Sequence, residues 1–153
     1  MFTIRTANRS EVKVLQDLNN EVFIDNQKYD SDLDMSWTQS NKGKAYFTKL
    51  LNNPQACCFI AEDNGRNVGY IVAAPKIVAY RKSRYLEIEN MGVLPEYRSK
   101  GIGTMLMDEC LKWAHSHGFQ KTYVNSYFEN KMAVEFYKKN GFSEIDISLE
   151  KNL

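Results

Sequence analysis

The residues best placed to do chemistry form one stretch, Val93-Leu94-Pro95-Glu96-Tyr97-Arg98-Ser99-Lys100-Gly101-Ile102-Gly103-Thr104. It follows a strand expected over Tyr85 to Val93 and opens a helix expected to run to about His117. Two glycines spaced one apart remove side chains where the chain turns, so several N–H groups can point at one place. That place is also a helix N-terminus, where unpaired donors and the positive end of the helix dipole meet. Such a corner suits phosphate oxygens. Arg98 and Lys100 add positive charge to its rim. Leu106 stands where a dinucleotide fingerprint needs a third glycine, and no Gly-Lys-Ser/Thr follows as in a P-loop. A tight turn with solvated charges would use the same residue types, so the glycines alone leave the ligand open.

The rest of the chain reads as a scaffold for this corner. Phe2 to Thr6 alternates as a strand does, and Ser10 is a suitable N-cap for a helix carrying Val12, Leu15, Leu18 and Val22 on one stripe. From Glu21 to Ser40 that pattern breaks, and five acids (Glu21, Asp25, Asp30, Asp32, Asp34) face a single base, Lys28. The segment also holds Tyr29, Met35 and Trp37, which argues for an ordered loop or broken helix. A short helix is expected near Lys44 to Leu51.

Ala56 to Ala61 and Val68 to Ile77 are apolar runs joined by the turn signal Asp63-Asn64-Gly65-Arg66-Asn67. They predict a hairpin buried on both faces. A stripe of Ile102, Leu106, Cys110 and Trp113 marks the helix after the glycine corner, with Gly118 ending it. Lys121 to Ser126 reads as a strand, Asn130 as the cap of a last helix closed by Gly141, and Phe142 to Leu149 as a final alternating strand. The order predicts an α/β fold: a mixed, mostly antiparallel twisted sheet flanked by helices on both faces. One domain over residues 1–153 is expected.

Composition narrows the class. Hydrophobic residues at 43% and charged residues at 25% fit a folded globular chain. A net charge of +1 gives no footprint for nucleic acid, and no apolar run approaches a membrane span. The start, Met1-Phe2-Thr3-Ile4-Arg5, does not read as a signal peptide. Cys57, Cys58 and Cys110 are an odd number without metal-ligand spacing, so buried free thiols, no metal and a cytoplasmic location are expected.

With these elements in order, the chain resembles the GNAT superfamily of N-acetyltransferases. Arg98-Ser99-Lys100-Gly101-Ile102-Gly103 fits the family's Q/R-x-x-G-x-G/A acetyl-CoA motif. Met91-Gly92-Val93-Leu94-Pro95 fits the preceding strand end. Asn130, Ala133, Phe136, Tyr137, Gly141 and Phe142 fit the family's pattern in the late helix. The resemblance is weakest over Glu21 to Leu51. It implies acetyl-CoA as co-substrate, held in an opening between the fourth and fifth strands. Its contacts would be Met91, Val93, Arg98, Ser99, Lys100, Gly101, Ile102, Gly103, Thr104, Asn130, Phe136 and Tyr137.

The reaction so implied moves an acetyl group from a thioester to an amine, which must lose its proton to attack. Glu87 and Glu89 are the candidate bases. Two apart on a strand, they face one side, with Leu86 and Ile88 on the other. A carboxylate facing a closed core is costly, so their side should open on a wet cleft. Glu89 is nearer the thioester end. By the resemblance, Tyr137 is the acid that protonates the departing thiolate, and the Met91 N–H donates to the thioester oxygen. The acidic segment, with Asp30, Asp32, Asp34, Tyr29 and Trp37, suggests a cationic small-molecule or peptide amine as acceptor. A homodimer is left open. The alternative is a GNAT-like module that binds acyl-CoA without catalysis.

Overall fold

In the computed structural model, which describes residues 1–153, five strands form one sheet in the order β1-β2-β3-β4-β5. The strands are β1 (Phe2–Thr6), β2 (Cys57–Asp63), β3 (Arg66–Lys76), β4 (Tyr85–Val93) and β5 (Lys121–Val124). The helices are α1 (Val12–Asn26), α2 (Asn41–Asn52), α3 (Ile102–Ser116) and α4 (Lys131–Lys139). The first three neighbouring pairs are antiparallel; β4 and β5 are parallel, as the intervening α3 crossover requires. The sheet is thus mixed and mostly antiparallel, with helices on both faces, as the element order implied.

Strand alternation sorts side chains into two cores. Cys57, Phe59, Ile71, Ala73, Leu86 and Ile88 pack against Ile102, Leu106, Met107 and Cys110 of α3. Cys58, Ile60, Tyr70 and Val72 pack against Leu15 and Leu18 of α1 and Phe47 and Leu50 of α2. Adjacent Cys57 and Cys58 therefore lie in opposite layers. All three cysteines are buried free thiols, with Cys57 Sγ 3.8 Å from Cys110 Sγ. The β2–β3 hairpin turns through Asn64 (φ 49°) and Gly65 (φ 84°), the left-handed pair that a twisted two-residue turn demands. No helix is long and apolar enough to cross a membrane.

Two irregularities in β4 matter most. Its register against β3 passes from Val72↔Asn90 to Ala73↔Ile88, so Glu89 is an extra, bulged residue. Its pairing with β5 runs from Tyr85↔Lys121 to Ile88↔Val124 and stops there. From Glu89 to Val93 the outer edge of β4 has no strand beside it.

Three expectations need correction. Phe142 to Leu149 forms no strand, and Ile145, Ile147 and Leu149 are 58%, 76% and 93% exposed. Alternation makes a segment able to be a strand, but a strand exists only with a neighbour to bond, and β5 pairs with β4 alone. Ser10 does not cap α1. Its hydroxyl bonds Asn8, and the helix starts after Glu11, whose carboxylate grips Arg5 of β1 at 2.6 and 2.7 Å. That ion pair ties the helix to the sheet, which a serine cap cannot do. Helix α2 begins at Asn41, earlier than its apolar pattern shows, because Ser40 Oγ accepts the Gly43 N–H at 3.2 Å.

Gly92 shows how tightly α1 sits on β4: a Cβ there would lie 2.4 Å from Val22 Cγ2. Gly92→Ala should therefore lower stability by about 1–3 kcal/mol, read from the urea midpoint at constant m-value. In a Val22→Ala background the same change should cost clearly less. An unaltered cost there would mean that the α1 contact is not the cause.

Candidate functional site

Beyond Ile88 and Val124 the two parallel strands part, and a cleft of about 1360 Å³ takes in this opening and continues along β5 and residues 141–150. Val22, Phe23, Asn26, Tyr29 and Asp30 line one wall, and Glu89, Asn90 and Met91 form its floor. Residues 124–128 with Ala133, Val134 and Tyr137 line the other wall. The polarity of the free β4 edge follows from one bond. The Leu94 N–H donates to Val68 O on β3 at 2.8 Å. Strand alternation then turns the Met91 and Val93 N–H groups outward, towards the opening. The Val93 carbonyl on that edge accepts from Arg98 Nε at 2.9 Å.

The glycine corner lies at the end of this edge. Ser99 (φ 62°) and Gly101 (φ 84°) both adopt left-handed backbone, and Gly101 is the N-cap of α3 without a side-chain cap. The first full turn closes from the Met105 N–H to Gly101 O at 3.1 Å. The Ile102, Gly103 and Thr104 N–H groups precede that bond, so the helix itself does not use them. Thr104 is exposed, whereas the Ile102 side chain is buried and only its backbone can meet a ligand. Lys100 lies with its Nζ 5.5 Å from the centre of the Tyr97 ring.

Several expected contacts turn out to have structural work as well. Arg98 pairs with Asp25 of α1 in addition to its bond to Val93, so its charge is compensated and it ties β4 to α1. A Cβ on Gly103 would lie 3.2 Å from Phe136 Cε1. This glycine lets α4 pack on α3, and Phe136 is used in that packing rather than in lining the cleft. Asn130 caps α4, its Oδ1 accepting the Ala133 N–H at 3.2 Å, and also borders the cleft.

The two glutamates separate. Glu89, on the bulge, is exposed to the cleft and accepts from the Tyr46 hydroxyl of α2 at 2.7 Å. Burial, reinforced by Glu89, pushes the Tyr46 phenol well above its ordinary pKa, so it stays a donor. Glu87 lies opposite Ala74, in the α1–α2 layer, with Lys76 Nζ 3.7 Å away, and lines no part of the cleft. Leu86 and Ile88 are in the other core. Because of the bulge, Asn90 also turns to the α1–α2 side, where the Tyr70 hydroxyl donates to its Oδ1. Nothing in the run Leu86-Glu87-Ile88-Glu89-Asn90 marks a bulge, so Asn90 escaped the sequence reading. Tyr46 lies in the short helix expected near Lys44 to Leu51, where nothing in the sequence distinguishes it from a packing residue.

Tyr137 lines the far wall, its ring 5.5 Å from Phe136 and 5.8 Å from Phe142. Burial pushes its phenol up to about 12. The acidic segment does not converge on the cleft. Asp30 lines it, but accepts from the Tyr127 hydroxyl at 2.6 Å and from the Asp32 N–H at 3.0 Å. Asp34 caps the Ser36 turn; the Ser36 hydroxyl and N–H hold its carboxyl below the usual range. Neither Asp32 nor Asp34 lines the cleft. Trp37 is packed between Phe23 (5.8 Å) and Tyr46 (5.4 Å), and Lys28 already sits 5.1 Å from the Tyr29 ring centre. These rings are packing surfaces rather than open cation sites.

Comparison with known proteins adds a family to this geometry. Residues 16–142 match the Acetyltransferase (GNAT) family. The chain is 26% identical over 147 residues to an uncharacterized N-acetyltransferase of Methanocaldococcus jannaschii, covering 95% of this chain and 62% of that protein. It is 30% identical over 111 residues to an N-alpha-acetyltransferase of Sulfurisphaera tokodaii, covering 67% and 65%. The chain thus spans less than two thirds of the length of these two relatives. Among solved structures, an aminoglycoside N-acetyltransferase in complex with CoA superposes with a TM-score of 0.77 at 18% identity, covering 100% of this chain and 95% of that one. A Bacillus halodurans protein superposes at 0.86 with 17% identity and 99% of both chains covered. At these identities the structural likeness establishes the fold.

The contact between Asp30 and Tyr127 joins the two walls, with the Tyr29 ring stacked on Tyr127 at 6.0 Å. Tyr127→Phe removes the hydrogen bond and keeps the stacking. Amide hydrogen exchange over residues 28–36 should speed up several-fold, while global stability falls by no more than about 1.5 kcal/mol. Unchanged exchange there would mean that stacking alone holds the segment.

Proposed function

Because the chain belongs to the Acetyltransferase (GNAT) family, we propose that it is an acetyl-CoA-dependent N-acetyltransferase acting on a primary amine. The observation that carries this is the unpaired outer edge of β4 from Glu89 to Val93, running into the free N–H groups of α3. An amide-bearing arm can satisfy such an edge as an added strand would, and a pyrophosphate suits the N–H groups of Ile102, Gly103 and Thr104. Acetyl-CoA supplies an acyl group activated as a thioester. The Val93 N–H would take the arm, and the Met91 N–H would donate to the thioester oxygen, where charge develops.

Glu89 is the base. A primary amine is mostly protonated near neutral pH, and a carboxylate at the cleft can remove that proton directly or through water. Tyr46 holds one Glu89 oxygen and leaves the other for the amine. Glu87, beside Lys76 and off the cleft, is not needed. Tyr137 donates the proton to the departing thiolate. With its phenol pushed up to about 12, it remains protonated through the neutral range and would be lost as donor only as pH rises through that value.

The test is thiol release from acetyl-CoA across a panel of amines. Glu89→Gln and Tyr137→Phe should each lower kcat by about 10²–10⁴-fold, whereas Glu87→Gln should cost less than about 10-fold. The acid arm should impose no falling limb on the pH–rate profile below about pH 10. Thr104→Glu places a negative charge at the start of α3 without touching the core, and should weaken acetyl-CoA binding in calorimetry; Tyr137→Phe should not. Tight acetyl-CoA binding without turnover on any amine would replace this reading with a non-catalytic acyl-CoA-binding module.

A further inference from the structure

The floor of the cleft carries a polar side chain that the chemistry above does not use. Asn90 follows the bulged Glu89, and both side chains turn to the α1–α2 side of the sheet, one to Tyr46 and the other to Tyr70. Asn90 Oδ1 accepts the Tyr70 hydroxyl hydrogen, and the Tyr70 oxygen accepts from Asn19 Nδ2 at 2.9 Å. Asn19 and Tyr70 are both fully buried.

Counting hydrogens fixes the direction of this chain. A hydroxyl has one hydrogen, so with Asn19 as donor to Tyr70 that hydrogen goes to Asn90. The reverse direction would turn the Asn19 amide round and leave both its N–H groups unpaired in the core. In the observed direction Asn19 Oδ1 is the atom without a partner, and buried acceptors tolerate this better than donors. The outcome is that the Asn90 Nδ2 group is left over. It bonds no protein atom, and Asn90 lines the cleft next to Glu89.

We propose that Asn90 is a specificity-determining residue that donates to a carbonyl oxygen next to the reacting amine. The acceptor class is then α-amino carbonyl compounds, such as the free α-amine end of a peptide, rather than plain alkyl amines. This rests on the N-acetyltransferase reading and on Glu89 as the group facing the amine. Glu89 and Asn90 are neighbours whose side chains both face the α1–α2 side at the cleft floor, so an amine held at one has the other beside it. An alkyl amine entering the same place would strip water from the Asn90 N–H groups and offer nothing in return.

The test compares three acceptors in thiol-release kinetics: an α-amino acid amide, a lysine-free tripeptide with a free N-terminus, and n-butylamine. Wild-type kcat/KM should favour the first two over butylamine. In Asn90→Ala that preference should shrink by about 10-fold or more, chiefly through a higher acceptor KM, with the butylamine and acetyl-CoA constants unmoved. Asn90→Asp keeps the shape and the bond from Tyr70 but has no donor, so it should lose the preference too. Tyr70→Phe frees the amide to rotate and should lose part of it. If Asn90→Ala slows all three acceptors alike, or if wild type shows no preference, Asn90 does not read the acceptor. If no amine is acetylated by a folded protein that binds acetyl-CoA, the N-acetyltransferase reading falls and this inference with it. The tripeptide outpacing the amide would point to a peptide terminus; equal rates would point to a small amino-acyl compound.

Discussion

Glu89 stands in β4 with no partner across the β3 ladder, and the consequences of that extra residue spread through the cleft. A bulge increases local twist and bends the strand that carries it. Here β4 leaves β5 one residue earlier, at Ile88. The divergence exposes the backbone edge that a ligand can pair with. It also resets the alternation, so that Glu89 and its neighbour Asn90 both reach the α1–α2 layer. Regular pairing would close the cleft and put Asn90 into the α3 core.

A bent, half-unpaired strand needs support from elsewhere, and α1 and α2 provide it. Gly92 admits Val22 to the backbone, Arg98 links the strand end to Asp25, and Tyr46 holds Glu89. These contacts come from two helices and one loop, so the floor is held from several directions. On the far wall the α4 N-terminus is set by the Asn130 cap, and its distance from α3 by the bare backbone of Gly103 beneath Phe136.

The floor and the far wall of the cleft also differ in environment. Glu89 is exposed, whereas Tyr137 is buried and its phenol is pushed up to about 12. In the proposed reaction these two environments suit a base and an acid respectively.

Much of this was legible in the residues themselves. The strand from Tyr85 to Val93, the glycine corner, the Asn130 cap and the two-layer core follow from local rules: turn conformations, caps and alternation act over a few residues. So does the family, because Arg98-Ser99-Lys100-Gly101-Ile102-Gly103 and the late-helix pattern are contiguous. Contacts between distant segments were not legible. Glu87 and Glu89 look alike in sequence, but Glu87 lies where β4 still pairs with β5 and beside Lys76, whereas Glu89 lies on the bulge at the cleft and bonds Tyr46. The acidic residues of the segment after α1 look like a field aimed at a substrate, yet Asp30 is answered by Tyr127 and Asp34 by Ser36, and neither Asp32 nor Asp34 reaches the cleft. Phe142 to Leu149 has the rhythm of a strand and no neighbour to bond. Pairing, bulges and hydrogen-bond direction depend on which chains lie side by side, and that is decided only when the whole sheet has formed.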